Sequence, residues 1–199
     1  MPYANVELSK NEMELVTSSE FILTKNRIIE KVYTMFGKLS EVYKAELAKH
    51  SNIFPKEIYS ASPKIYKGEN YLNLPYVMMD YPRTFLKHDV FAIRSFFWWG
   101  NYFSLTLQLS GKYLDNLKDN IAVNLQKNIN SGYFICVNND EWQHHFEETN
   151  YTPLTSTGLI EKAIENPFLK IARKHSLSGW NSAVDFFEKS YAGVMQLMN

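Results

Sequence analysis

At 199 residues, with 45% hydrophobic and 15% aromatic side chains, the chain is long and apolar enough to bury a sizeable core and is not a disordered segment. Its 21 basic and 21 acidic residues cancel, and the absence of a basic excess argues against a nucleic-acid surface. A single cysteine, Cys136, excludes an intramolecular disulfide, and no apolar run approaches the roughly 20 residues of a membrane span. The stretch Met1–Leu8 lacks the basic-then-apolar pattern of a signal peptide, so a soluble, cytoplasmic protein with no membrane partner is expected.

In chain order, Ser9–Glu12 and Thr17–Glu20 both fit the capping box, which predicts helix starts near each. Between Lys25 and Lys49 the apolar residues Ile28, Val32, Met35, Phe36, Leu39, Val42, Tyr43 and Leu47 recur every three or four positions, the stripe of an amphipathic helix. His50 to Pro63 reads as a connector. Lys64–Lys67 and the run from Asn70 are expected to pair across Gly68-Glu69. In that second strand, Pro75 has no N–H for the ladder, so an edge or a bulge is expected there. Tyr81–Asp89 is read as a turn that delivers Asp80, Arg83, His88 and Asp89 near the next hairpin.

That hairpin is the most informative stretch. Residues 103–109 alternate strictly between apolar and polar, the period of a half-buried strand. Gly100-Asn101 separates them from an aromatic run, and both residue types tolerate positive φ. A two-residue turn there would set Trp99 opposite Tyr102 and Arg94 opposite Leu107. One face would then carry Arg94 among apolar residues, with Asp80 or Asp89 as its carboxylate or with an anionic ligand instead. The other would carry Phe97, Trp99, Tyr102, Ser104, Thr106 and Gln108, aromatics beside hydroxyls and an amide. Three readings of that mixed face stand: a surface under a helix, a ligand pocket, or a subunit interface.

Lys112–Asn130 reads as a helix and Tyr133–Val137 as a short apolar strand, in which Cys136 is more a small hydrophobe than a nucleophile. Glu141–Glu148 contains His144 and His145 between carboxylates. It is read as an amphipathic strand or a helix, and it has too few companions to make a metal site. From Pro153 onward a helical tail is expected, with Lys170–His175 the cationic end of one helix and Trp180–Met198 the last.

Hairpins between terminal helices define an α+β chain with an antiparallel sheet. It is read as one domain, 1–199, with helical segments at 1–50 and 155–199 around a sheet region at 63–148. There is no phosphate-binding glycine loop, no nucleophile elbow and no paired Cys-x-x-Cys, so no cofactor and no catalytic residue is named. Two functions remain. One is a non-catalytic binding or assembly domain, in which Arg94, Phe97, Trp99, Tyr102, Ser104, Thr106 and Gln108 take a small molecule or join a homodimer. The other is an enzyme of unassigned class, a hydrolase being one option, that uses His144, His145 and nearby carboxylates.

Overall fold

Seven antiparallel strands in the order β1-β2-β3-β4-β7-β5-β6 form one sheet in the computed structural model, which describes residues 6–199. The first five residues of the stretch read for a leader lie outside the described residues. The strands are β1 (Lys64–Tyr71), β2 (Leu74–Phe85), β3 (Val90–Trp98), β4 (Tyr102–Ser110), β5 (Phe134–Cys136), β6 (Tyr151–Pro153) and β7 (Phe168–Ser176). The helices are α1 (Lys10–Thr17), α2 (Ser19–Ala48), α3 (Lys56–Tyr59), α4 (Gly111–Gln126), α5 (Thr157–Ile164) and α6 (Ala183–Leu197). This is the α+β architecture expected of hairpins set between helices.

The two N-terminal helices begin where local chemistry directs. Ser9 and Glu12 close the expected capping box of α1. One residue ends that helix, and Ser18, not Thr17, caps α2 by accepting the Phe21 N–H. The α2 stripe buries Val32, Phe36, Leu39, Tyr43 and Leu47 on the sheet and on α6. Phe36 meets Phe187 edge to face at 5.4 Å, and Tyr43 stacks on Tyr191 at 3.8 Å. Each fully buried side chain of this size contributes roughly 1.5–3 kcal/mol relative to exposure.

The central hairpin differs from expectation by one residue. Trp98 pairs with Tyr102 and Phe97 with Phe103, so the connection is Trp99-Gly100-Asn101. The Asn101 N–H donates to the Trp98 carbonyl, and Gly100 takes the positive φ of +73° that this turn requires. The slip exchanges the faces of β3 relative to β4. Ile93, Ser95 and Phe97 join Phe103, Leu105 and Leu107 against the helices. Arg94, Phe96 and Trp98 join Tyr102, Ser104, Thr106 and Gln108 on the other side.

Further corrections lie nearby. β1 runs on through Gly68-Glu69 to Tyr71 and turns at Leu72-Asn73, with φ of 48° and 65°. Its bulge between Gly68 and Tyr71 faces the stretch around Pro75, where the missing donor is accommodated. β2 continues to Phe85, past a second irregularity at Tyr81-Pro82, so the turn shortens to residues 86–89. Most consequentially, Phe168–Ser176 is not helical. It is strand β7, seated between β4 and β5 inside the segment read as a helical tail.

Candidate functional site

The helix-free face of the sheet carries the unusual chemistry. Asp80 on β2, Arg94 on β3, Thr106 and Gln108 on β4 and Lys170 on β7 are all buried on it. Among the described residues, neither a strand nor a helix covers them. The cover is an irregular strap, residues 137–150, which contains Glu141–Glu148 and is anchored by the Val137 N–H on the Asn150 carbonyl.

Arg94 and Asp80 form a two-pronged ion pair: Nε donates to Oδ1 at 2.7 Å and Nη2 to Oδ2 at 3.1 Å. Nη1 donates to Nε2 of His144 at 3.2 Å. A guanidinium can only donate, so that ring nitrogen accepts and the proton of His144 sits on Nδ1. Burial, with Arg94 and Lys170 close by, holds His144 well below the usual imidazole range, and the ring is neutral. Tyr66 also donates to Oδ2 of Asp80 at 3.3 Å, and burial pushes its hydroxyl up to about 12.

Tyr71 fastens the strap. Its oxygen accepts the N–H of His144 at 2.7 Å and of His145 at 3.1 Å. Its own proton is directed at Nδ1 of His145, 3.2 Å away, which leaves the His145 proton on Nε2. Tyr102 donates to the His144 carbonyl at 3.2 Å. Phe146 stacks on Tyr151 at 4.6 Å and meets Tyr102 edge-on at 5.1 Å.

Lys170 is the outlier. It is 1% exposed, and among the described residues it has no carboxylate within ion-pair distance. Nζ donates to the main-chain carbonyls of Glu141, at 2.8 Å, and Gln143, at 2.5 Å, and lies 5.4 Å over the Tyr151 ring. Burial lowers its ammonium to about 8. The Glu141 carboxylate points instead to Gln108, accepting from Nε2 at 2.8 Å. Tyr151, buried beside Thr106, leaves its hydroxyl without a hydrogen bond of good geometry.

Next to this cluster a cleft of about 410 Å³ opens between residues 85–88, at the end of β2 and in the turn after it, and the strap. Phe85 and Trp142, ring centroids 6.1 Å apart, are on its walls with Phe168, and Glu141 reaches into it. Among the described residues, no group of three or more His, Cys, Asp or Glu side chains could hold a metal ion. Nor is any described helix long and apolar enough to cross a membrane.

Of the residues singled out in the sequence, Arg94, Tyr102, Ser104, Thr106 and Gln108 share the polar face. Phe97 does not: it is core, against Phe103 and Trp180. Trp99 sits in the turn and packs on the helical side. His144 and His145 come to the polar face, but on a strap that is neither the strand nor the helix expected. Cys136 is buried, and burial pushes its thiol up. Lys170, Tyr71 and Tyr151 were missed. The signal for Lys170 was its alternation with Leu169 and Ile171, the period of two that marks a strand.

Comparison with protein-family models, with curated proteins and with solved structures finds no match to this chain.

Proposed function

We propose that the protein is a non-catalytic binding domain for a small, flat molecule with an acidic group. The ligand body lies in the cleft beside Phe85 and Trp142, and its acid end turns toward Gln108 and Lys170 under the edge of the strap. The observation that carries this reading is Lys170, a buried ammonium whose hydrogen bonds, among the described residues, go to strap carbonyls. Such a charge is costly to bury without a counter-charge, and the two carbonyl oxygens occupy positions that the oxygens of a carboxylate or phosphate would fill more favourably. The cleft volume lies in the range of small-molecule sites, about 300–1,000 Å³, and its walls are mostly apolar. We place the protein in the cytoplasm, in keeping with its lone, buried Cys136.

The test is native mass spectrometry and thermal shift with benzoate and phenyl phosphate, on wild type beside Lys170→Met. Binding to wild type that falls at least ten-fold in the variant is expected. Equal binding by both proteins would refute the assignment of the acid end to Lys170.

A second reading, an enzyme of hydrolase type using His144 and His145, is supported by the Tyr71–His145 pair, which holds one imidazole on the polar face next to His144. His144 supports it less, because Arg94 already occupies its acceptor nitrogen. Turnover of phenyl esters that is lost in His145→Gln and kept in Lys170→Met would select this reading.

A further inference from the structure

The helices carry a feature that the binding site does not use. α1 has no buried residue at all, and the first turns of α2 are equally bare. Met13 and Val16 make an apolar strip one helical turn apart, with Val16 68% exposed, and Phe21 and Ile22 are also exposed at the start of α2. From the 100° step of a helix, Lys10 flanks that strip on one side and Glu12 on the other.

A groove of about 400 Å³ between α2 and α6 has the complementary character. Met35, Val42, Trp180 and Val184 supply its apolar surface. Lys31 and Lys38 stand on the α2 rim and Glu188 on the α6 rim, and none of the three has a salt-bridge partner among the described residues. Acid and base on the two flanks of the strip thus match base and acid on the two rims of the groove.

The strip cannot reach its own groove. Met13 lies within about 8 Å of the α1–α2 junction, whereas Met35 and Val42 lie about 24 and 35 Å along α2 from its first residue, at 1.5 Å per residue. The occupant is therefore on another molecule. Two α2 helices set antiparallel and crossing near Ile28 bring the α1–α2 junction of each beside the middle of the other's α2, and the α1 arm, set off from α2 at the extended Ser18, meets the partner's groove in a closed two-fold exchange.

We infer that the protein forms a homodimer in which the α1 arm of each chain docks, through Met13 and Val16, in the α2/α6 groove of the other. Light scattering on the full chain at tens of micromolar is expected to give twice the 23.3 kDa of one chain. The arm variant Met13→Asp/Val16→Asp and the groove variant Val184→Asp are each expected to shift it to a folded monomer, because all three side chains are exposed, with the melting temperature lowered only by what association contributes. Mixing a Val16→Cys chain with a Val184→Cys chain should give an inter-chain disulfide that neither forms alone, since Cys136 is buried in both. A wild-type monomer overturns the proposal, as does a dimer that survives both sets of aspartates. A monomer that the arm fastens to phosphatidylcholine vesicles overturns it in favour of a lipid surface.

Discussion

Asp80 and Arg94 stand directly opposite each other on β2 and β3, and their two hydrogen bonds are sealed at 3% and 6% exposure. A pair so sealed contributes little net stability, but breaking it strands a charge. Arg94→Met or Asp80→Asn alone should cost about 3–5 kcal/mol in urea unfolding. The double replacement Asp80→Leu/Arg94→Met should recover most of that loss. A double variant no more stable than either single would show that the pair stabilises by more than mutual neutralisation.

Lys170 makes stability depend on alkaline pH. Its ammonium is lowered from 10.5 to about 8 in the fold, so between those values the unfolded chain binds the proton more tightly. Stability therefore rises as pH climbs through this window. The gain relative to Lys170→Met should be on the order of 3 kcal/mol from pH 7.5 to 10.5, at 1.36 kcal/mol per pH unit. Urea unfolding of both proteins across the window checks it, and parallel curves would exclude a buried ammonium.

His144 acts on the acid side. Burial, Arg94, Lys170 and His145 hold it neutral well below 6.5, so below 6.5 the unfolded chain takes up a proton that the fold refuses. Stability contributed by the neutral ring is full above 6.5 and is lost as pH falls. His144→Gln, which keeps an acceptor for Arg94, should flatten the stability curve between pH 6.5 and 5.

Tyr71 is the strap's fastening, and Tyr71→Phe leaves two strap N–H groups without their acceptor. A loss of about 1–3 kcal/mol is expected. The same change should speed hydrogen exchange at His144 and His145 while leaving exchange in β3 and β4 unchanged. Uniform acceleration across the sheet would mean that strap and sheet open together.

Much of this architecture was legible from periodicity. The α2 stripe, the α4 and α6 helices, the alternation of β4 and the fold class all follow from apolar spacing, because burial on one face imposes it. The register of β3 was not legible. Gly100-Asn101 fits a two-residue turn, and only the hydrogen bond from Asn101 to Trp98 shows that Trp99 belongs to the loop. β7 was hidden because Lys170, Arg173 and Lys174 read as a basic helix end, although Lys170 is buried on the face where charge is least expected. The site was legible in its hydroxyls, amide and Arg94, but not in its cover, since a strap without regular structure has no period to read.

The turn at Leu72 shows the same limit from the other side. Leucine seldom adopts a φ of +48°, so of the two turn residues only Asn73, at φ +65°, is marked in the sequence, and Leu72 masks the turn. Leu72→Asn should stabilise the hairpin by about 1 kcal/mol, read as a shift in the urea midpoint with unchanged slope.

The position of β7 has a consequence for the order in which the chain can become a finished structure. Strands β1 to β4 form a consecutive meander that a ribosome could release early, yet one flank of it, β4, stays bare until residues 168–176 arrive. Leu105, Leu107 and Leu109 then lie along an open border of unpaired backbone groups, the sort of template to which neighbouring nascent chains adhere. Chains halted before Phe168 should therefore depend on chaperones in a way that chains reaching Ser176 do not.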